Sequence, residues 1–503
     1  MKSNLYSSQQ AREMDRIAID RYGYSGLLLM KTAGERAFAN IMACFSGVEP
    51  MVVLCGSGNN GGDGYVVAKC AQAIGLEVVV VQASEPKTRD AIQVCHEFVD
   101  RGGSIITSDT NDIEVLQSAG LIIDGLFGTG LNRAPSGFYA DLIRVANQAS
   151  CLADCPVVAL DIPSGLDSDT GFAFDPCIKA AMTVTFIGKK FGLFTGQGKN
   201  CSGRIKFEDL NLPGDIQKSV KPIARIIPRP ELKKRVPDSH KGDYGNIIIA
   251  GGDNGMLGAA LLAGRAALRC GSGRVTVLST ERHLDMPALH CPELMSQCIE
   301  NETGFARLCE HSDVVVVGPG MGLSDWSKQI FDCLIELQKP MVIDADGLVL
   351  LADAFGKRDA GKHDHWVLTP HPGEAATLLG CSTADVQKDR IGAVKAIGEQ
   401  FGGVCVLKGA GTLIADLSAA VGVCDRGNPG MASAGTGDVL AGIIGSLIGQ
   451  NLDSGNLDLG KAAQAGVWLH ATCADKIAGK IGMASLLAGD IIDALPETLS
   501  SMH

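Results

Sequence analysis

Short apolar runs alternate with longer mixed segments along the first half of the chain. Several of these runs contain no polar side chain, which is typical of parallel strands buried on both faces of a sheet. The segments between them are long enough for crossover helices, so the pattern predicts a doubly wound α/β sandwich. The predicted strands are Met51–Cys55, Glu77–Gln82, Leu121–Phe127, Pro156–Asp161, Met182–Ile187 and Arg204–Phe207.

The second half shows the same alternation of apolar runs and mixed segments, with more predicted strands. Its helices are predicted at Leu257–Cys270, Asp438–Ile448 and Leu459–Ala478. No residue-level repeat relates the two halves, so we expect two different α/β domains. The predicted strands are Asn246–Ala250, Arg274–Leu278, Asp313–Val317, Pro340–Asp344, His365–Leu368, Val404–Lys408 and Thr412–Ala415.

Proline and charge mark the boundary between the halves. Five prolines and a charged cluster fall between Leu212 and Gly245, as in linkers between compact units. We therefore expect one domain over residues 1–219, a linker over 220–240 and a second domain over 241–503. The prolines and charged residues are Pro213, Pro222, Pro228, Pro230, Pro237, Glu231, Lys233, Lys234 and Arg235.

The 503 residues carry a formal net charge of −12. This negative charge argues against a protein whose main ligand is nucleic acid or anionic lipid, since binding either one requires a basic protein surface. The N-terminus shows no secretory leader and no run of about 18 apolar residues is present, so we expect a cytoplasmic protein without a membrane span. The 17 cysteines include no C-x-x-C pair, which favours buried, reduced thiols over zinc sites or disulfides.

The sharpest feature of the first half is the glycine-rich run Gly56–Gly64, which directly follows the strand Met51–Cys55. A helix pattern comes next, over Tyr65–Ile74. A strand, a glycine loop and a helix start together offer backbone N–H groups and a positive dipole end to an anion. The run is not a Walker A loop, because no Lys-Ser/Thr follows it, and it departs from G-x-G-x-x-G. A tight turn with Asp63 as a helix cap is the alternative.

Acidic residues end two other predicted strands. Asp124 precedes a glycine-rich loop, and Asp161 precedes a proline turn that carries Ser164. Open α/β sheets place their sites at the carboxyl ends of strands, so we expect the three loops to converge on one pocket. Asp161 is then a candidate general acid or base. Asn60, Asp124 and Ser164 offer oxygen ligands suited to a hard cation.

Together, the segments Gly58–Gly64, Phe127–Leu131 and Asp161–Gly165 resemble those of the NAD(P)H-hydrate epimerase family, over about Leu5 to Leu212. That family interconverts the R and S forms of hydrated NADH and NADPH. The resemblance implies a Rossmann-like three-layer αβα sandwich, with Asp161 catalytic and in contact with the substrate. It also implies a potassium ion held by Asn60, Asp124 and Ser164. The other substrate-binding residues implied are Asn59, Asn60, Gly61, Gly62, Asp63, Gly128, Thr129, Gly130, Leu131, Asn132, Arg133 and Ala134.

Three positions depart from the family pattern. Lys31 and Thr32 stand where an acid and an Asn are usual, and Ala181 stands where an Asp is usual. All three lie outside the three loops. We therefore expect them to affect subunit packing or a supporting contact more than the chemistry.

Polar or glycine-rich loops also end the predicted strands of the second half. Residues 318–322 read Gly-Pro-Gly-Met-Gly, and residues 344–347 read Asp-Ala-Asp-Gly. His371 stands between two prolines at another strand end, so we expect its ring at the same rim. Glu374 is either a helix cap or part of a water-mediated magnesium shell. Lys408–Thr412 joins two strands as a hairpin and places a cation and backbone donors where phosphates bind; a plain turn is the alternative.

The strongest single motif is Asn428–Asp438, which leads into a helix predicted from Val439. The N–H groups of residues 435–438 are predicted to form an anion hole on the positive end of that helix. Asp438 then lies beside a developing phosphate charge. A simple helix cap is the alternative for Asp438, but it does not explain the small, glycine-rich residues that precede it.

A G-x-G-D sequence at a helix start is the phosphoryl-transfer signature of ribokinase-like enzymes, and the second half resembles that superfamily from about Ile223 to Leu495. The segments Thr369–Glu374, Lys408–Thr412 and Asn428–Met431 match its NAD(P)H-hydrate dehydratase branch. The resemblance implies two sets of ligand-binding residues. They are Lys408, Gly409, Ala410, Gly411, Thr412 and Gly437 for the adenine nucleotide, and Ala259, Gly320, His371 and Asp438 for the hydrated dinucleotide.

The two resemblances imply a single pathway of nicotinamide-nucleotide repair. Asp438 is implied as the base that activates the ring hydroxyl of the S form for phosphorylation, after which loss of phosphate restores the double bond. Bacterial members use ADP and eukaryotic members ATP, and the fused layout resembles the bacterial form. ADP is therefore the expected donor, giving AMP and phosphate, with Mg²⁺ on the donor phosphates. We also expect a homo-oligomer, because Gly- and Ala-rich helices can pack between subunits.

Two other functions share these motifs. A ribokinase-like small-molecule kinase would give a stable phosphorylated product in place of free phosphate. A non-catalytic dinucleotide sensor in the first half would keep the pocket without turnover, and Asp161→Asn would then change nothing.

Overall fold

The computed structural model of the chain describes residues 3–107, 113–299, 305, 308–357, 362–416, 419–452 and 457–502. Its contacts divide the chain into two compact units, Met1–Arg225 and Ile226–His503. Both units are α/β, as the alternation of apolar runs predicts.

The first unit is built on a seven-stranded sheet in which all neighbouring strands are parallel. Met51–Cys55 is the third strand from one edge, and Met51 pairs with Val78 on one side and Leu121 on the other. In spatial order the strands are Ser104–Thr107, Val78–Gln82, Met51–Cys55, Leu121–Gly125, Val157–Leu160, Met182–Phe186 and Arg204–Glu208.

Two separate hydrophobic cores cover the two faces of this sheet. Val53 and Ile123 belong to one core, whereas their chain neighbours Val52 and Ile122 belong to the other. Side chains alternate between faces along a strand, so both faces are packed against helices and the predicted three-layer sandwich is confirmed. The helices are Ser8–Tyr22, Gly26–Cys44, Asn59–Ala73, Arg89–Val99, Phe138–Leu152, Gly198–Cys201 and Gly214–Ser219, with 3₁₀ turns at Ile113–Leu116 and Phe191–Phe194.

Two features of the first unit differ from the sequence prediction. The helix after the glycine run begins at Asn59, six residues before the predicted Tyr65, so Gly61, Gly62 and Gly64 lie inside it. Glycine is a poor helix former in isolation, and packing overrides that preference here. The edge strand Ser104–Thr107 was not predicted, because its residues are only partly buried and carry no continuous apolar run.

Nine strands in the described residues of the second unit lie side by side in one sheet. Six neighbouring pairs are parallel, and two antiparallel pairs follow at one edge. In spatial order the strands are Met295–Gln297, Arg274–Leu278, Asn246–Ala250, Val314–Val317, Met341–Ile343, Trp366–Leu368, Val404–Leu407, Leu413–Asp416 and Val421–Val423.

Close packing places the helix Thr436–Gly449 against the helix Leu257–Cys270. A Cβ atom on Gly442 would lie 2.1 Å from the Ala263 carbonyl oxygen, so only glycine allows this approach. None of the helices in the described part of the chain is both long and apolar enough to span a membrane. The unit's helices are Leu257–Cys270, Met286–His290, Asp325–Ile335, Asp346–Lys357, Pro372–Leu379, Thr383–Lys388, Arg390–Phe401, Thr436–Gly449, Leu459–Ile481 and Ala488–Ser500, with 3₁₀ turns at Lys241–Tyr244, Glu281–His283 and Pro429–Met431.

Candidate active sites

The three predicted loops of the first unit meet around one cleft of about 540 Å³. Most of the site residues predicted from the sequence line it. Gly61 and Gly62 are buried behind its wall, and residues 132–134 do not line it. The predicted residues in the lining are Asn59, Asn60, Asp63, Gly128, Thr129, Gly130, Leu131 and Asp161.

Glycine at position 61 is required by a backbone contact beneath this cleft. A Cβ atom there would lie 2.0 Å from the Gly56 carbonyl oxygen. The helix Asn59–Ala73 therefore starts directly against the preceding strand end, which brings its first turn to the cleft.

Gly61→Ala should lower the free energy of unfolding of the first unit by about 1–3 kcal/mol, because the new methyl group collides with backbone. Gly58→Ala is the matched control, since a Cβ atom there meets nothing within 4 Å. All three tryptophans, Trp326, Trp366 and Trp468, lie in the second unit. Urea unfolding of Gly61→Ala should shift part of the circular dichroism transition and leave the tryptophan fluorescence transition unchanged. Equal effects of the two variants would contradict this account.

Asn60, which lines the cleft, is linked through Phe127 to the buried pair Asp124 and Ser164. The Ser164 hydroxyl donates to Asp124 Oδ1 at 2.6 Å, and the Ser164 amide donates to Asp124 Oδ2 at 2.8 Å. Asn60 Nδ2 donates to the Phe127 carbonyl oxygen at 2.8 Å. Burial raises the pKa of Asp124 to about 6. Asn60 Oδ1 is buried and has no hydrogen-bond partner among the described residues, so it is an acceptor still to be satisfied.

Asp161 lies at the end of its strand in a left-handed backbone conformation, with φ of 61°. Its Oδ1 accepts hydrogen bonds from the Thr185 hydroxyl and the Phe186 amide, both at 3.2 Å. The ammonium group of Lys190, itself only 3% exposed, forms an ion pair with the same oxygen. Lys190 also donates to the Phe186 carbonyl oxygen at 2.9 Å. Asp161 is thus fixed in position next to a buried cation.

Two more carboxyl groups face this cleft, Asp63 and Asp15. Burial raises the pKa of Asp63 well above its ordinary value, and the nearby charges of Asp161 and Asp15 add to the rise. Burial also raises the pKa of Asp15, to about 6. Raised carboxyl pKa values in a cleft are typical of acid–base sites.

Lys190 and Asp15 were not predicted from the sequence. Lys190 follows the end of the strand Met182–Phe186, so a cation at a strand end was a usable signal. Asp15 lies on the helix Ser8–Tyr22, far from the glycine motifs, and no local pattern marks it.

The three departures from the family pattern all lie outside the cleft lining. Lys31 forms an ion pair with Glu97 at 2.7 Å, and the Thr32 hydroxyl donates to the Leu28 carbonyl oxygen. Ala181 is exposed.

In the second unit, Lys408 and Asp344 form the centre of a buried charged group. Lys408 Nζ lies 2.6 Å from Asp344 Oδ1 and 3.7 Å from Glu374 Oε2. The Thr369 hydroxyl donates to Asp344 Oδ1 at 2.8 Å. Burial opposes the charged form of Lys408, but the carboxylates of Asp344, Glu374 and Asp438 together raise its pKa. This ion pair of Asp344 with Lys408 was not predicted from the sequence.

His371 and Glu374 cap the helix Pro372–Leu379 reciprocally. His371 Nδ1 accepts from the Gly373 and Glu374 amides, and Glu374 Oε2 accepts from the His371 amide at 2.6 Å. The prediction of Glu374 as a helix cap is confirmed. The His371 side chain remains 56% exposed, so its ring is accessible to a ligand.

Asp438 occupies the third position of the helix Thr436–Gly449, which begins earlier than predicted, and Gly435 precedes it in a left-handed conformation with φ of 88°. The N-cap alternative for Asp438 is therefore wrong. Burial raises the pKa of Asp438 to about 7, with the charges of Asp344, Asp346 and Glu374 adding to the rise. A Cβ atom on Gly437 would lie 3.2 Å from Lys408 Nζ, so the helix start and the lysine are adjacent.

The hairpin predicted at Lys408–Thr412 is present between the antiparallel strands Val404–Leu407 and Leu413–Asp416. Arg390, which is 1% exposed, supports it, because its Nη2 donates to the Lys408 carbonyl oxygen at 3.1 Å. Gly409 has φ of 125°, a conformation that favours glycine.

Ala259 and Gly320 lie side by side in the same unit. A Cβ atom on Gly320, whose φ is 59°, would be 3.0 Å from the Ala259 Cβ. The glycine loop at 318–322 and the start of the helix Leu257–Cys270 therefore form one small-residue surface.

Comparison with known proteins assigns a family to each unit. Residues 247–497 match the family described as NAD(P)H-hydrate dehydratase, and residues 26–192 match the family described as YjeF-related protein N-terminus. A bifunctional NAD(P)H-hydrate repair enzyme from Escherichia coli is 40% identical over 99% of this chain and 95% of its own length. One from Leishmania major is 35% identical over 93% of this chain and 88% of its own. A Bacillus subtilis ADP/ATP-dependent NAD(P)H-hydrate dehydratase, co-crystallised with ATP/Mg²⁺, has 28% identity and a TM-score of 0.47, and the match covers 54% of this chain and 95% of that one.

Proposed function

The chain belongs to the family of bifunctional NAD(P)H-hydrate repair enzymes, and we propose how its two sites divide that repair. It is both an isomerase and a lyase: it interconverts the R and S forms of hydrated NAD(P)H and dehydrates the S form. The kinase-plus-sensor alternative has no support, because the relatives match across both units and carry the repair activity in their names.

We propose that the first-unit cleft performs the epimerisation, with Asp161 exchanging protons with the substrate hydroxyl. The observation that carries this assignment is the ion pair of Asp161 with the buried Lys190 at the wall of the cleft. The hydrated dinucleotide binds along residues 59–63 and 128–134, of which Asn59, Asn60, Asp63 and residues 128–131 line the cleft. The first turn of the helix Asn59–Ala73 offers its backbone amides there.

A potassium ion in this unit is held by Asn60, Asp124 and Ser164. The buried, unsatisfied Asn60 Oδ1 supports this assignment, because an amide oxygen without a hydrogen-bond donor is a suitable ligand for a hard cation. When bound, the ion ties the loops that carry these residues together. Asp161 is oriented by the protein itself, through its hydrogen bonds with Thr185 and Phe186 and its ion pair with Lys190.

In the second unit, Lys408–Thr412 and Gly437 bind the adenine nucleotide, and Ala259, Gly320, His371 and Asp438 bind the hydrated dinucleotide. Lys408 and the amides at the start of the helix Thr436–Gly449 stabilise negative charge on the transferred phosphoryl group. Asp438 accepts the proton of the ring hydroxyl as that oxygen attacks. The C–O bond then breaks as phosphate leaves with the hydroxyl oxygen, the neighbouring ring carbon gives up a proton to water, and the ring double bond is restored.

Mg²⁺ reaches this site on the phosphates of the nucleotide. Within the described part of the chain, no three His, Cys, Asp or Glu side chains are grouped to hold a metal ion. Phosphate and water oxygens would be the main ligands of the ion, as is usual for Mg²⁺, and the ion would neutralise phosphate charge there.

ADP is the proposed donor. The relative from Leishmania major shares the fused arrangement, so the fusion by itself does not distinguish ADP from ATP. The direct test follows recovery of NADH absorbance from a mixed R/S hydrate with Mg²⁺, K⁺ and either nucleotide. Full recovery with ADP supports both the ADP donor and the epimerase assignment. Recovery with ATP only would overturn the assignment of ADP as donor. Recovery that stops with the R form left over would overturn the epimerase assignment.

The dehydratase should lose activity as the pH falls below about 7. A base must be ionised to accept a proton, and the pKa of Asp438 is raised to about 7. The value of kcat/KM for the S form should therefore fall about tenfold for each pH unit below that point, measured with ADP saturating and corrected for acid-driven hydration of the product. A rate that stays constant down to pH 5 would contradict the role of Asp438 as base.

We further propose that the functional domains are residues 1–219 and 241–503, joined by residues 220–240. We place the protein in the cytoplasm as a homo-oligomer. Analytical ultracentrifugation of the full chain tests the last point.

A further inference from the structure

Asp15 reaches the first-unit cleft from an element that carries none of the family motifs. One face of the helix Ser8–Tyr22 lines the cleft through Ala11, Arg12, Asp15 and Ile19. Packing holds this helix in place: a Cβ atom on Gly188 would lie 2.6 Å from the terminal methyl group of Met14. Asp15 is therefore presented to the cleft by rigid structure.

The charged groups that face Asp15 come from several elements. Asp161 directly follows the strand Val157–Leu160, and Lys190 directly precedes the 3₁₀ turn Phe191–Phe194. Arg12 lies on the same helix as Asp15, and Asp63 lies on the helix Asn59–Ala73. Burial raises the pKa of Asp15 to about 6, with Lys190 and Arg12 opposing the rise and Asp161 adding to it. Asp15 thus exchanges its proton near neutral pH and is electrostatically coupled to Asp161.

Epimerisation of the hydrate requires proton transfer on two faces of the ring. The hydroxyl is on the carbon beside the ring nitrogen, whose lone pair forms a C=N bond as the C–O bond breaks. The departing oxygen takes a proton from an acid and leaves as water. A water molecule then forms the new C–O bond on the opposite face and gives a proton to a base. One proton passes in effect from acid to base, exchange with solvent water resets both groups before the next turnover, and no oxidant or reductant is needed.

We propose that Asp15 is a second catalytic residue of the epimerase, which handles the proton on the ring face opposite to Asp161. This inference rests on the proposed epimerase function of the first unit. It explains why a helix outside the motif loops places a carboxyl group in the cleft.

The test uses the full-length enzyme without ADP, so that dehydration does not occur. Pure R hydrate is supplied, and formation of the S form is followed by chromatography and corrected for the uncatalysed rate. Asp15→Asn should lower kcat by about a hundredfold or more, the usual scale for loss of an acid–base group. Asp20→Asn is the matched control, because Asp20 lies on the same helix but is exposed and outside the cleft.

The pH profile separates a catalytic role from a structural one. In the reactive state one of the two carboxyl groups, Asp15 or Asp161, carries a proton and the other does not. The wild-type rate should therefore fall above about pH 6, where Asp15 loses its proton. Asp15→Glu should keep this pH dependence, and Asp15→Asn should lose it. The Asp15→Glu measurement decides the question if Asp15→Asn does not fold, and an Asp15→Glu enzyme without the pH dependence would overturn the inference.

An Asp15→Asn enzyme that epimerises at the wild-type rate, or that keeps the wild-type pH profile, would also overturn the role of Asp15. Wild-type enzyme that does not exceed the uncatalysed rate would instead overturn the epimerase function itself. Dehydration of the S hydrate by each variant, with ADP and Mg²⁺, shows that the preparation is otherwise intact.

Discussion

Asp438→Asn should abolish ADP-dependent recovery of NADH from the S hydrate, with kcat falling about 10²- to 10⁴-fold. The substitution keeps the size of the side chain at the third position of its helix, but the amide does not accept the proton of the attacking hydroxyl. Asp438 lies among the charges of Asp344, Asp346 and Glu374. Removing its charge relieves repulsion, so the variant should be at least as stable as the wild type.

The matched control for this experiment is Asp325→Asn. Asp325 also lies in the first turn of a helix, Asp325–Ile335, and its side chain is 98% exposed. The Asp325→Asn enzyme should dehydrate the S hydrate at the wild-type rate. Asp438→Asn should still epimerise R to S at the wild-type rate, because that reaction belongs to the other unit. Substantial NADH recovery by Asp438→Asn would require a different base.

The second large effect is expected for Asp161→Asn, which should lower the rate of R/S interconversion about 10²- to 10⁴-fold. Asn tolerates the left-handed backbone at this position, so the variant isolates the loss of the carboxylate. It also leaves Lys190 buried without its anionic partner. That loss should destabilise the first unit by about 3 kcal/mol, the lower end for a broken buried pair, because the amide still offers an oxygen acceptor.

A control and a double variant separate the two effects of Asp161→Asn. Asp154→Asn makes the same chemical change at an exposed residue that also has positive φ, 50°, and it should alter neither rate nor stability. Adding Lys190→Met to Asp161→Asn removes the unpaired cation, so stability should return while epimerisation stays lost. If the double variant recovered activity, Asp161 would not be the acid–base group.

The local sequence predicted most of the strands because they are continuous apolar runs, a signal that needs no knowledge of the rest of the chain. Met51–Cys55 and Asn246–Ala250 are found with the predicted bounds. Edge strands such as Ser104–Thr107 were missed, because partial burial leaves them without an apolar run. The helix start at Asn59 was missed because glycine propensity is a local property, whereas the packing that permits the helix is not.

The family and the positions of the loops at the strand ends were also predictable from local sequence. Glycine-rich segments at fixed positions after strands are local features, and the topology of a parallel sheet brings them to one edge. Tertiary structure alone decided which charged groups share a site. Lys190 lies 29 residues after Asp161, and Lys408 lies 64 residues after Asp344.

Such pairs are set by strand order and by burial, which no local pattern encodes. Asp15 is the clearest case, since only the packing of the N-terminal helix turns an ordinary helical carboxylate toward the cleft. Burial there, and at Asp438, then raises both pKa values toward neutrality. The sequence shows which side chains can carry protons. Only the folded chain supplies the low-dielectric surroundings that raise the pKa values of these carboxyl groups toward 7.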